Sequence, residues 1–399
     1  MEIEEAQALV KQSLSPILEF EETALKDSYG KILFEDVFSP INIPPFSKSA
    51  MDGYAVSSFD VDGASKENPV ELDVLEELYA GDWKEISYAK KSAVRVMTGS
   101  PLPSGYDTVV MQEDSDYGEK KVLIYKGGEP FKNCCVLGED VKKNERLLPA
   151  GKRLGRAELA LLSGAGFASV KVKRPARVSI LCVGSELQEP GRSLEKGKVY
   201  SSLGSAFSCS VTQMGFLVVR EKIIVDDKMR IAEEIKGAVR DSDIVITTGG
   251  VSVGKKDFLP QVLESLGAKT LFCNVNVQPG TPTRGTLLDN KFVLSLSGNP
   301  FAAFVNFDLY FYHAAASLMC SDSFELKKTC AILQSDYDKT SLRRRLLRAR
   351  MENGKVFLPS KNHASSIIGN LVDCNCYIDI PAKKAIVPGD KVQVVMAGA

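Results

Sequence analysis

Histidine is nearly absent: the 399 residues hold two, His313 and His363. That scarcity disfavours His-rich zinc or iron centres and nucleophilic triads built on an imidazole base. Nine cysteines are present, yet none forms a CxxC pair. Cys134 and Cys135 are adjacent, and Cys374 and Cys376 are one residue apart, neither of which is the spacing of a zinc knuckle. The odd count, with an acidic N-terminus (Met1-Glu2-Ile3-Glu4-Glu5) that lacks the apolar core of a signal peptide, predicts reduced thiols and a cytoplasmic protein. No run of about 18 apolar residues occurs, so no membrane span is expected. No charge sign dominates either. A formal net charge of -1 creates no global field towards nucleic acid or an anionic membrane. With two histidines and no CxxC pair, a bound metal is expected to take oxygen donors, which favours magnesium.

What is present is an ordinary globular mix, 44% hydrophobic and 25% charged. A chain this long exceeds one hydrophobic core, so several domains are expected. Residues 3–14 carry Ile3, Ala6, Val10 and Leu14 near helical spacing, and Ser15-Pro16 ends the helix. The prolines of Ser39-Pro40-Ile41-Asn42-Ile43-Pro44-Pro45 hold an extended track. Residues 51–141 contain short strand-like runs, such as Ala93–Met97, Thr108–Gln112 and Lys121–Tyr125, separated by Gly, Pro and Asp clusters. Residues 154–163 return to helical character. A basic linker, Lys171-Val172-Lys173-Arg174-Pro175, then leads into strands and helices that alternate at βαβ spacing. Strands are expected at Arg177–Val183, 217–225, Asp243–Thr247 and 291–296, and helices near 203–214, 228–239, 257–266 and 301–318. That alternation predicts a doubly wound, mostly parallel sheet. Beyond residue 325 the texture is β again, with strands around 328–334, 345–350, 355–358, 375–380 and 390–396.

Ligands of open parallel sheets bind at the carboxyl ends of the strands. Three loops there are rich in glycine and hydroxyls: Val183-Gly184-Ser185-Glu186-Leu187, Thr247-Thr248-Gly249-Gly250-Val251-Ser252-Val253-Gly254, and Leu296-Ser297-Gly298-Asn299-Pro300. Exposed N–H groups beside hydroxyls form an anion cradle, and glycine lets the backbone approach closely. One such turn is ordinary turn chemistry; three at three strand ends point to phosphate or another anion. Glu186, Asp226 and Asp257 accompany these ends. Taken singly, Asp226 and Asp257 read as helix caps. Taken together, three converging carboxylates suit a divalent metal bridging to phosphates. In the β-rich part, Asp52-Gly53 and Thr98-Gly99 are locally turn signals.

In order along the chain stand Ser49-Ala50-Met51-Asp52-Gly53-Tyr54-Ala55, Met97-Thr98-Gly99, Gly138-Glu139-Asp140, Gly184-Ser185-Glu186-Leu187, Asp226-Asp227, Thr248-Gly249-Gly250-Val251-Ser252-Val253-Gly254, Pro279-Gly280-Thr281-Pro282 and Gly298-Asn299-Pro300. This series resembles the molybdopterin molybdenumtransferases, which include the E domain of gephyrin, from about residue 3 to 399. The resemblance implies an enzyme of molybdenum cofactor biosynthesis that takes adenylylated molybdopterin and molybdate, inserts the metal and releases AMP with Mg2+ present. Its substrate donor would be a molybdopterin adenylyltransferase. The implied fold has four parts: a discontinuous helical and extended segment (1–50 and 142–174), a β-rich domain (51–141), an α/β molybdopterin-binding domain (175–325) and a C-terminal β barrel (326–399). It also implies a homodimer, with the cleft between the α/β domain of one subunit and the β domain of its mate.

Carried over residue by residue, the catalytic positions fall on Asp52, Thr98, Glu186, Asp226 and Asp257. Glu186, Asp226 and Asp257 are the metal candidates. Gly249, Gly250, Ser252, Gly254, Pro279, Gly280, Thr281, Ser297, Gly298, Asn299 and Pro300 would bind substrate. The family usually carries basic residues around its Pro-Gly-x-Pro turn, where Asn274, Gln278 and Thr281 stand here. Neutral donors lose the charge-assisted part of an anion's hydrogen bonds, and Arg284 is the nearest candidate to compensate. Ser185 and Tyr200-Ser201-Ser202-Leu203 are further departures. An active transferase with a modified oxyanion pocket is therefore expected, with a weakly active paralogue that binds the cofactor or a partner as the alternative. The run Arg343–Arg345, Arg348 and Arg350 reads as the solvated face of a strand rather than a nucleic-acid site.

Overall fold

Three strands, Arg177–Val183, Ile244–Thr248 and Lys291–Leu296, are almost wholly buried. Such runs arise where helices cover both faces of a parallel sheet. In the computed structural model, which describes residues 1–251, 258–337, 339–359 and 363–398, they form the centre of a six-stranded sheet. Its order is Leu217–Ile224, Arg177–Val183, Ile244–Thr248, Lys291–Leu296, Arg284–Leu288, Lys269–Cys273. The first four are parallel. Arg284–Leu288 runs antiparallel to both its neighbours, and it and Lys269–Cys273 were absent from the alternation read in the sequence. Glycine and polar residues break their apolar pattern, and no helix separates them from each other.

One face of the sheet, with Val178, Ile180, Ile246 and Leu294, packs against the helices Ile3–Ser13, Leu203–Gln213 and Pro300–Met319. The other, with Leu181, Val245 and Val293, packs against Lys228–Asp241 and Leu259–Ser265. Alternate residues of one strand thus feed two cores. Helix Pro300–Met319 opens with proline at its first position and is buried on nearly all sides. Phe307 stacks between Phe207 and Phe311 at 4.4 and 4.6 Å. No helix among the described residues is long and apolar enough to cross a membrane.

The β-rich part is a five-stranded sheet ordered Thr108–Met111, Gly53–Val56, Ser92–Val96, Val70–Leu78, Lys121–Ile124. Its longest member, Val70–Leu78, escapes notice in the sequence because four acidic residues interrupt its apolar run. The segment read as a basic linker is a strand. Ser169–Lys173 pairs antiparallel with Phe20–Ala24, Val170 and Val172 point inward, and the buried Lys173 ammonium donates to the Ile17 carbonyl at 2.9 Å. Arg174 continues that role by forking onto Asp243 at 2.7 and 3.1 Å.

At the C-terminus, Lys328–Leu333, Arg344–Glu352, Lys355–Phe357, Cys376–Ile380 and Lys391–Met396 close into a barrel, because Arg344–Glu352 pairs with neighbours on both sides. Its outer rim takes in one strand of the preceding domain. Val277–Gln278 lies parallel to Arg344–Arg345, with Gln278 opposite Arg345. The Tyr377 hydroxyl donates to Asp308 on the long helix at 2.7 Å, and Arg344 bridges Asp379 and Glu4. The barrel is therefore seated on the α/β domain by strand pairing, an ion-pair network and a buried hydrogen bond.

Candidate active site

The parallel strands all end on one side, and their loops carry the chemistry. After Arg177–Val183, Gly184 leaves room for the Glu186 carboxylate to fold back over it: a Cβ there would stand 2.7 Å from a carboxylate oxygen. After Leu217–Ile224, Asp226 accepts the Ser185 amide at 2.8 Å, and the Ser185 hydroxyl accepts the Asp226 amide at 2.9 Å. The two loops are thereby laced together. The helix cap is Asp227, which accepts the Arg230 amide at 2.9 Å. Capping, expected for Asp226, falls one residue later and leaves Asp226 to the site. After Ile244–Thr248, Gly249 has φ +82°, and a Cβ would meet the Val183 carbonyl oxygen at 2.2 Å. Only glycine satisfies both constraints. After Lys291–Leu296, the Ser297 hydroxyl accepts the Asn299 amide at 3.2 Å and the long helix begins.

These loops line a cavity of about 1080 Å³ that is closed on its far side by the Pro279–Pro282 turn and the barrel. Glu186, Asp226, Gly249, Gly250, Pro279, Gly280, Thr281, Ser297, Gly298 and Asn299 all contribute to its wall. Pro300 starts the helix behind it. Ser252, Gly254 and Asp257 lie outside the described residues. Asp336, Tyr337, Lys339, Arg345, His363 and Ser365 reach the cavity from the barrel, and sequence reasoning missed all six. A strand alternates faces, so three consecutive arginines can never share one solvated face; that was the overlooked signal.

The structure accordingly revises the arginine run. Arg348 is fully buried, lies 3.8 Å from the Phe301 ring centroid and donates to the carbonyls of Ile367 and Ala364. Arg344 is paired as described above. Arg343 donates to the Thr281 hydroxyl at 2.6 Å, while Arg345 donates to Tyr337 and, at 3.4 Å, to Gln278. Arg343 and Arg350 are exposed, as the solvated reading has it, and Arg350 pairs with Glu352. Arg284 does not take up the compensating place: it donates to Thr270 at 3.1 Å, on the adjoining edge strand. Asn274 has φ +53°, a left-handed backbone that Asn tolerates better than Lys or Arg. Burial, then the charges of Arg348, Lys339 and Arg345, hold the His363 imidazole below its ordinary range.

Asp52 and Thr98 are brought together, but not into this cavity. The Thr98 amide and hydroxyl both donate to one Asp52 oxygen, at 2.7 and 2.8 Å. Those two bonds, the amide first, hold the Asp52 carboxyl below the usual carboxylate range. They also commit the one hydroxyl proton of Thr98. For a metal, no cluster of three or more His, Cys, Asp or Glu occurs among the described residues. Two cavity carboxylates from adjacent strand ends, Glu186 held in the recess at Gly184, still fit magnesium. That ion completes its shell with water and substrate phosphates rather than with an all-protein cage.

Residues 1–166 match the MoeA N-terminal region (domain I and II), 179–316 the probable molybdopterin binding domain, and 330–396 the MoeA C-terminal region (domain IV). Over 376 residues the chain is 35% identical to a molybdopterin molybdenumtransferase of Staphylococcus epidermidis, an alignment covering 93% of this chain and 90% of that protein. The chain belongs to the molybdopterin molybdenumtransferase family. A Staphylococcus aureus enzyme of the same name is 33% identical over 94% of this transferase and 90% of its own length. The crystal structure of the molybdopterin biosynthesis MoeA protein from Pyrococcus horikoshii superposes with a TM-score of 0.87 at 29% identity, over 99% of both chains. In this transferase the expected fold class therefore holds, with the C-terminal strands closed into a barrel.

Proposed function

We propose that this protein inserts molybdenum from molybdate into adenylylated molybdopterin and releases AMP, with magnesium required. The observation that carries the reading is the cavity wall itself: two strand-end carboxylates, three glycine-bearing turns and the Pro279–Pro282 turn meet around about 1080 Å³, room for a nucleotide-pterin and an oxyanion together. The amides of Gly249, Gly250 and the Ser297–Asn299 turn cradle phosphate. Glu186 and Asp226 would hold magnesium, with Asp257 as a third candidate. When bound, that ion would supply charge neutralisation for the phosphate oxygens. Glu186 also accepts a hydrogen bond from water and orients it. The Gln278 side-chain amide and Ser365 donate to the oxyanion.

Asp52, kept ionised and oriented by Thr98, fits as an acceptor supplied to the cavity of a second subunit, since neither residue lines the cavity of its own chain. A homodimer follows from that reading; family resemblance, separately, implies a molybdopterin adenylyltransferase as the source of substrate in the cytoplasm. The test is incubation with adenylylated molybdopterin, molybdate and magnesium, measuring AMP and cofactor formed. AMP release that depends on both molybdate and magnesium is expected. Tight binding of the nucleotide-pterin with no AMP release would instead favour the weakly active paralogue, a reading prompted by the neutral Gln278 and Thr281. Monomeric behaviour in light scattering at micromolar concentration would remove the assignment of Asp52.

A further inference from the structure

The Pro279–Pro282 turn has no charge of its own at the cavity. Gln278 and Thr281 line it as an amide and a hydroxyl, and Arg284 is engaged elsewhere. The barrel brings cations to the same place. Arg345 stands opposite Gln278 in the strand pairing of Val277–Gln278 with Arg344–Arg345, so backbone register sets its position. Its guanidinium touches the Gln278 side chain and lies 5.7 Å from the Tyr337 ring centroid. Lys339 lines the cavity from the loop that precedes the strand. Among the described residues, neither Arg345 nor Lys339 has an ion-pair partner. The acidic groups on the same wall are Asp336, beside them on the barrel, and Glu186 and Asp226, on the α/β side. Each cation keeps donors in hand, since a guanidinium has five and an ammonium three.

We propose that Arg345 and Lys339 of the barrel, rather than the Pro279–Pro282 turn, supply the positive charge that holds a tetrahedral oxyanion in the cavity, splitting its seat between two domains. The inference rests on the proposed function. It adds that oxyanion affinity depends on how the barrel is docked. The oxyanion is either free metalate or the phosphate of the nucleotide-pterin, which share this chemistry.

Equilibrium dialysis of the full chain against molybdate alone, and separately against adenylylated molybdopterin, tests this, with thermal midpoints recorded for every variant. Arg345→Gln is expected to weaken binding about tenfold or more, the scale of one charge-assisted hydrogen bond. Lys339→Gln weakens it by a smaller factor. Adding Gln278→Lys to Arg345→Gln restores binding, because a lysine at 278 returns an ammonium to the facing position. A loss confined to molybdate identifies the seat as that of the metalate; a loss confined to the nucleotide-pterin identifies a phosphate seat; either supports the split site. If Arg345→Gln fails to fold, the exposed Lys339→Gln carries the decision alone. Wild-type affinity for both ligands in Arg345→Gln and Lys339→Gln, while the wild type still releases AMP, overturns the inference and leaves the proposed function standing. A wild type that binds neither ligand removes both.

Discussion

Asp226 and Asp227 are chemically identical neighbours with separate tasks, and substitution should separate them. Asp227 caps the helix Lys228–Asp241. Asp227→Ala should cost about 1 kcal/mol in urea unfolding, the usual value of such a cap, with little change in turnover. Asp226 holds the Ser185 amide and faces the cavity. Asp226→Ala should leave the unfolding midpoint near that of wild type but lower AMP release by about a hundredfold, the scale of losing one positioned electrostatic group. Equal effects of the two variants on turnover would contradict the division. The candidate carboxylates were legible in the sequence because a strand end followed by an acidic residue places that residue on the binding edge. Which of two adjacent aspartates caps the helix was not legible. That choice depends on where the first helical turn begins, and helix boundaries shift by a residue or two.

At the scale of elements, the alternation of strand and helix was readable because apolar periodicity persists over whole elements: the helix expected near 203–214 is Leu203–Gln213, and that near 301–318 is Pro300–Met319. The strands that were missed lack such periodicity. Arg284–Leu288 contains Gly285, whose missing Cβ makes room for the Phe272 ring 2.2 Å from where that Cβ would stand. Packing with a distant residue, not local propensity, defines that strand. The loop after Ile244–Thr248 has the opposite character, because its glycine is dictated by geometry that any sequence would meet there. Gly249→Ala combines a left-handed φ with a contact on the Val183 carbonyl. It should destabilise the protein by about 1–3 kcal/mol, the cost of such backbone strain, and weaken nucleotide-pterin binding through displacement of the Gly249 and Gly250 amides. Calorimetry of the variant reads both effects. An unshifted unfolding midpoint would show that the loop moves freely away from Val183.

The whole molecule depends on contacts that no local pattern encodes: the barrel meets the α/β domain through Tyr377 and Asp308, residues far apart in the chain. Asp308 is fully buried, accepting the Tyr377 hydroxyl at 2.7 Å and the Gly398 amide at 3.1 Å. Burial lifts its carboxyl to about 6, against the downward pull of those two donors. Tyr377 stays protonated, its ionisation pushed far up by burial and by Asp308 itself. The sign of the pH dependence follows. In the unfolded chain the carboxyl titrates near 3.9, so between about pH 4 and 6 the native state binds the extra proton. Stability from this group is then greatest near or below pH 4 and declines as pH rises towards 6, with nothing further lost above that. The decline is on the order of 2–3 kcal/mol if no other group opposes it. Asp308→Asn removes the titration but not the acceptor oxygen. Its urea-unfolding free energy should therefore change less with pH across that window than the wild type's, whatever its absolute level. Because Asp308 joins the long helix to the barrel that carries Arg345, the barrel should also loosen as Asp308 ionises. Hydrogen exchange at Tyr377 and Ile378 should accelerate from pH 5 to 7 in the wild type by more than the intrinsic pH effect, and by the intrinsic effect alone in Asp308→Asn. Parallel exchange profiles in the two proteins would show that the buried carboxyl does not govern how firmly the barrel is seated.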